Sequence, residues 1–126
     1  MKYFEYLIAA IVLVVLDSIY LHLIKGYFNY QIKVIQGKNI SINLTGAVLT
    51  YIFLIFGLNY FIIKQNRSIT DAAFLGAVIY FVYECTNLAL FDKWSILTVF
   101  IDGIWGSVLF ALTTFITYKT YKLFKI

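Results

Sequence analysis

Three carboxylic acids stand inside long apolar runs of this chain: Asp17, Glu84 and Asp102. A charge at the centre of a spanning helix costs about 2.5–3.5 kcal/mol on insertion scales, so such a group is expected to face a partner or a cavity. Asp17 lies eight residues before Lys25, Glu84 eight before Asp92, and Asp102 eight after Trp94. At 1.5 Å per residue each acid sits about 12 Å in from the same face of a membrane. A further helix reaches that level near Thr50 and Tyr51, and no lysine or arginine lies there to neutralise the acids. Carboxylates brought close together in a poorly hydrated interior cannot all stay ionised, so at least one is expected to hold a proton or bind a cation. Glu84 is the first candidate, because it stands among tyrosines able to hydrogen-bond a neutral acid.

Helical phase gathers the neighbours, since residues three and four apart share a face. Tyr80, Glu84 and Asn87 fall together, as do Asp102, Trp105 and Gly106, and Asp17 lies with Tyr20. The expected ligand-binding or proton/cation site is therefore Asp17, Glu84, Asn87 and Asp102, supported by Tyr20, Tyr80, Tyr83, Thr86 and Trp105. His22, roughly 140° around the helix from Asp17, is a poor direct partner for it. The competing reading is that these groups only join helices by hydrogen bonds, at about 0.6 kcal/mol each. Three carboxylates fit that reading poorly.

The elements that position these residues follow from composition. Of 126 residues, 63% are hydrophobic and the mean hydropathy is +0.89, against roughly 45–50% apolar usage in soluble domains. A chain this short has too little interior to hide the excess, so lipid is its expected partner. Net charge is +4, with the basic residues scattered between apolar runs and at the ends. No clustered basic face exists, which excludes a nucleic-acid partner. The lone Cys85 permits no intrachain disulfide and reads as a small buried hydrophobe. Proline is absent.

Four runs reach the roughly 20 apolar residues a spanning helix needs, at about 3–24, 43–63, 70–91 and 95–118. The expected fold is an all-α polytopic membrane protein: one domain over residues 1–126 with four antiparallel transmembrane helices. "KQNRSI" and "DKW" are too short for anything but antiparallel hairpins. The first connection is longer, and its "YFNYQIKVI" is amphipathic enough to lie along the membrane surface. The first run carries Glu5 and Asp17 and has no clear small-residue cleavage site, so a retained helix is favoured over a signal peptide. Lys2, Lys64, Arg67, Lys119, Lys122 and Lys125 fall on one side, against Lys25, Lys33, Lys38 and Lys93 on the other. That bias favours cytoplasmic termini. Tyr27, Tyr30, Trp94, Tyr118 and Tyr121 match an interfacial aromatic belt. Ala72, Ala73, Gly76 and Ala77, and Gly103 with Gly106, mark seams where helix backbones can approach closely. The triplets beginning at Asn39, Asn43 and Asn66 fit the glycosylation pattern by coincidence.

The run "YFVYECTNLALFDKWS" followed by "DGIWG" resembles the signature of an uncharacterised membrane protein family, domain-of-unknown-function family 2177. Its pattern is Tyr-x-x-Tyr-Asp-x-Thr-Asn-x-Ala, then Trp-Pro, then Asp-x-x-Trp-Gly. Tyr80, Tyr83, Thr86, Asn87, Ala89, Trp94, Asp102, Trp105 and Gly106 match it. Asp17 and Tyr20 resemble the family's Asp-x-x-Trp opening, and "KGYFNY" resembles the aromatic end of that helix. Glu84 stands where the family has aspartate, keeping the acid with a longer reach. Ser95 stands where it has proline, which is expected to loosen the start of the last helix. The resemblance implies a compact four-helix membrane protein and no particular activity.

Three functions compete. The first is proton, cation or small-ligand binding or transport, with a homo-oligomer supplying a wall that four short helices cannot. The second is a membrane scaffold or accessory subunit whose polar centre fixes helix register. The third is an intramembrane enzyme on a lipid-like substrate, with the acids and His22 as acid and base or around a divalent metal. No HExxH, nucleophile elbow or phosphate loop is present to favour the third, and the residues leave catalytic groups, cofactor and metal unassigned.

Overall fold

The computed structural model describes residues 2–37 and 43–124. Lys38, the Asn39 triplet, Lys125 and the side chain of Lys2 lie outside the described residues. Four α-helices follow one another: α1 (Lys2–Gln36), α2 (Leu44–Leu58), α3 (Ile69–Leu90) and α4 (Ile96–Phe124). A π-helical turn, Asn59–Ile63, continues α2 without a break. Each helix is long and apolar enough to cross a membrane, α2 and its π turn doing so as one span, Leu44–Ile63. The chain is an all-α polytopic membrane protein, with antiparallel helices and no strand among the described residues.

Local signals set the helix starts. Asn43 Oδ1 accepts from the Gly46 amide at 3.0 Å, and Ser68 Oγ from the Asp71 amide at 3.0 Å. Both satisfy donors that the first turn leaves unpaired. Ser95 does the same for α4, accepting from the amides of Leu97 (3.1 Å) and Thr98 (3.4 Å). The start of α4 is therefore capped by the serine, where loosening was expected from the missing proline.

The expectation of a surface-lying "YFNYQIKVI" is corrected: α1 runs on through it to Gln36. Neither Lys25 nor Gly26 stops a helix, and the first residue to do so is Gly37. Its φ of 77° and its amide bond to the Lys33 carbonyl at 2.8 Å form a left-handed cap, for which glycine is suited. At 35 residues, α1 is about 52 Å long, so it overshoots a roughly 30 Å hydrocarbon core. Its last turns are tied to the α3–α4 connection. The hydroxyls of Tyr27 and Thr98 are 2.8 Å apart, Thr98 donates to Gln31 Oε1 at 2.7 Å, and Gln31 Nε2 donates to the Lys93 carbonyl at 2.9 Å.

The glycine seams expected from sequence lie between α3 and α4, the closest pair of helices. Gly76 faces the Gly106 carbonyl, Gly106 lies against the Tyr80 ring, and Gly103 lies against Phe81. Leu13, Leu58, Ile63, Leu109 and Phe110 fill the buried centre. On α1 the inward stripe Glu5, Ala9, Leu13, Asp17 alternates with an exposed stripe Leu7, Ile11, Val15, Ile19, which only lipid can solvate favourably. Cys85 is exposed, correcting its assignment as buried. With Glu84 and Asn87 turned inward, a step of about 100° per residue carries Cys85 outward.

Candidate functional site

All three acids are buried, with Asp17 7%, Glu84 1% and Asp102 8% exposed. Aromatic donors from other elements reach each one. Tyr51 on α2 donates to Asp17 Oδ2 at 2.7 Å, and Trp105 on α4 donates to Asp17 Oδ1 at 3.0 Å. Tyr20 on α1 donates to Asp102 Oδ1 at 3.1 Å. The indole of Trp94 donates to Glu84 Oε1 at 2.8 Å. The carboxyl groups of Glu84 and Asp102 are themselves hydrogen-bonding neighbours. Tyr20 and Trp105 stack with centroids 4.5 Å apart and planes within 4°, which holds both donors at one level.

Two expectations change here. Trp94 is not an exposed belt residue: it is buried, because the short turn after α3 folds its indole back onto Glu84. The donor to Glu84 is thus Trp94 rather than Tyr80 or Tyr83. Tyr83 is exposed at the rim of α3, and Tyr80 packs over Gly106. Asn87 lies one turn beyond Glu84 and is buried, its Nδ2 without a hydrogen-bond partner. Thr86 faces outward and returns its hydroxyl to the Val82 carbonyl at 2.7 Å, so it stands apart from the acids. His22 is exposed.

Beside the acids lies a cleft of about 410 Å³, lined from all four helices. Asp17 and Asp102 form its polar wall, Tyr20, Tyr51 and Tyr80 its aromatic walls, and Leu54 and Ile79 part of its apolar wall. Leu21, Thr50 and Tyr83, which also line it, are exposed and mark the mouth. No lining residue is basic. Among the described residues, no three His, Cys, Asp or Glu side chains gather closely enough to hold a metal ion.

The family described as predicted membrane protein (DUF2177) matches residues 3–119. The chain belongs to that family. No curated protein and no solved structure matches it. The DUF2177 match spans the three acids, their four aromatic donors and the cleft, so the whole arrangement falls within the family's extent.

This DUF2177 chain also buries polar groups that the sequence reading passed over. Glu5 is buried on the same stripe of α1 as Asp17, three turns earlier, with Ala9 and Leu13 between them. Near it Asn59, the first residue of the π turn, donates to the Tyr6 carbonyl at 3.3 Å. Tyr118 donates to the Arg67 carbonyl at 2.7 Å, with the Ile62 carbonyl at 3.3 Å. The spacing 5, 9, 13, 17 was the available signal, since i,i+4 steps put Glu5 on the inward face.

Proposed function

We propose that this DUF2177 protein binds a proton, a cation or a small ligand at Asp17, Glu84 and Asp102, and that binding serves transport. One observation carries the reading. Three acids from three helices, with no basic residue among their neighbours, share one level beside a cleft that two of them line. A carboxyl pair in hydrogen-bond contact can share or release a proton, and an unneutralised carboxylate in a low-dielectric cleft attracts a cation strongly. Asn87, Tyr80 and Tyr83 supply further hydrogen-bonding capacity around them. The lysine bias supports cytoplasmic termini, and the thin wall of four helices supports a homo-oligomer as the working unit. Residues 1–126 act as one transmembrane domain in this reading.

The scaffold reading keeps one point in its favour: each acid already has an aromatic donor, which fixes helix register without any ligand. Infrared difference spectroscopy of the protein in bilayers separates the two. Transport or binding requires carboxyl bands that respond to a pH step or to added cations, with the responding band lost in Glu84→Gln or Asp102→Asn. Carboxyl bands that stay silent to both stimuli would leave only the scaffold.

A further inference from the structure

We infer that the cleft takes an organic ammonium cation bearing an apolar group. This deepens the proposed function and rests on it, naming the class of ligand the same site would hold. Volume is the first ground: about 410 Å³ falls within the roughly 300–1,000 Å³ of small-molecule sites and far exceeds the space a bare ion needs. The second is coordination. A hard metal ion wants about six oxygen ligands or more, whereas only two carboxylates reach this cleft and no metal-holding cluster exists among the described residues. The third is the wall itself. Tyr20, Tyr51, Tyr80 and Tyr83 line the space around Asp17 and Asp102. Tyrosine faces attract an ammonium through the ring quadrupole, and do so more strongly once water is excluded. The two carboxylates supply charge complementarity, and the remaining apolar surface suits the ligand's hydrocarbon part. An anion is excluded by the same carboxylates. A neutral hydrocarbon leaves them without a counter-charge.

Isothermal titration in nanodiscs with benzyltrimethylammonium tests this, with its neutral carbon isostere neopentylbenzene and with sodium and calcium chloride as comparisons. The ammonium is expected to bind saturably above empty nanodiscs, and the isostere is not. Asp102→Asn, which keeps an acceptor for Tyr20, is expected to weaken the ammonium roughly tenfold or more. Tyr83→Leu, at the exposed rim where folding is not at stake, is expected to weaken it roughly threefold or more. Equal binding of the neutral isostere would overturn the inference by making the cleft a plain apolar groove. Binding of sodium or calcium without the ammonium would overturn it too, while leaving the proposed cation site standing. No binding of any probe, together with silent carboxyl bands, would remove both.

Discussion

Replacing Glu84 tests the polar centre most directly, because two opposing effects must be separated. In Glu84→Leu the Trp94 indole N–H loses its acceptor, 2.8 Å away, and Asp102 loses its carboxyl neighbour. Asp102 keeps Tyr20 as a donor, so the orphaned group is the indole, and the assembled bundle is expected to lose about 1–3 kcal/mol. Membrane hydrogen bonds average nearer 0.6 kcal/mol because the separated helices find other partners. Insertion of α3 moves the other way, since leucine at a helix centre is favoured by about 0.3–0.6 kcal/mol where an acid is disfavoured. The assay must therefore read helix association and not insertion. Reversible unfolding in mixed detergent micelles, followed by near-ultraviolet circular dichroism, does so. Glu84→Gln keeps an oxygen for Trp94 and is expected to stay within about 1 kcal/mol of the parent. A leucine variant as stable as the parent, or a glutamine variant as weak as the leucine one, would refute the buried network as described.

Gly76→Ala drives a methyl into the Gly106 carbonyl and to 2.9 Å from Phe110 Cβ. It should lower stability by about 1–3 kcal/mol in the same unfolding assay, whereas Gly26→Ala, with open space around it, should not. Ser95→Ala removes the acceptor from the first turn of α4 and is expected to cost about 1 kcal/mol, read as a lower unfolding midpoint. Tyr51→Phe deletes the hydroxyl that ties α2 to Asp17; hydrogen exchange along residues 44–54 should speed up while α3 and α4 stay protected. In a Cys85→Ser background, Asn66→Cys and Lys122→Cys should label from the same side of the membrane. Labelling from opposite sides would end the four-span topology.

The four spans were legible because lipid rewards nothing but length and hydropathy, and the chain supplies both in runs separated by charged residues. Counting from helix ends also brought Asp17, Glu84, Asp102 and Tyr51 to one level, since helical rise is fixed. What counting could not reach was direction across a turn. Trp94 was placed in the interfacial belt because it precedes the last helix, yet the turn closes so tightly that its indole reaches back to Glu84 on α3. Tyr20 was assigned to Asp17, its helical neighbour, whereas its hydroxyl crosses to Asp102. A side chain that long is aimed by packing, here its stacking on Trp105. The length of α1 was misread because Lys25 and Gly26 look like a stop. A helix ends where a better partner takes its carbonyls, and that first happens at Gly37. Glu5 was left out of the acid group, although its phase already placed it inside.

The chain has two tryptophans, and the N–H of each points at a carboxylate of the acid group, Trp94 at Glu84 and Trp105 at Asp17. An excited indole shifts electron density from its pyrrole ring toward its benzene ring. A negative charge at the pyrrole nitrogen therefore lowers the emission energy, and removing that charge raises it. The tryptophan emission of this protein, selected by exciting beyond tyrosine absorption, thus comes from chromophores bonded to its acids, with Trp105 further shielded by its stacked tyrosine. Adding a proton or a counter-cation at Glu84 should move the Trp94 emission to the blue, and the same event at Asp17 should move that of Trp105. Single Trp→Phe variants would resolve the two colours, so the molecule carries a separate optical gauge for each of two acids on different helices.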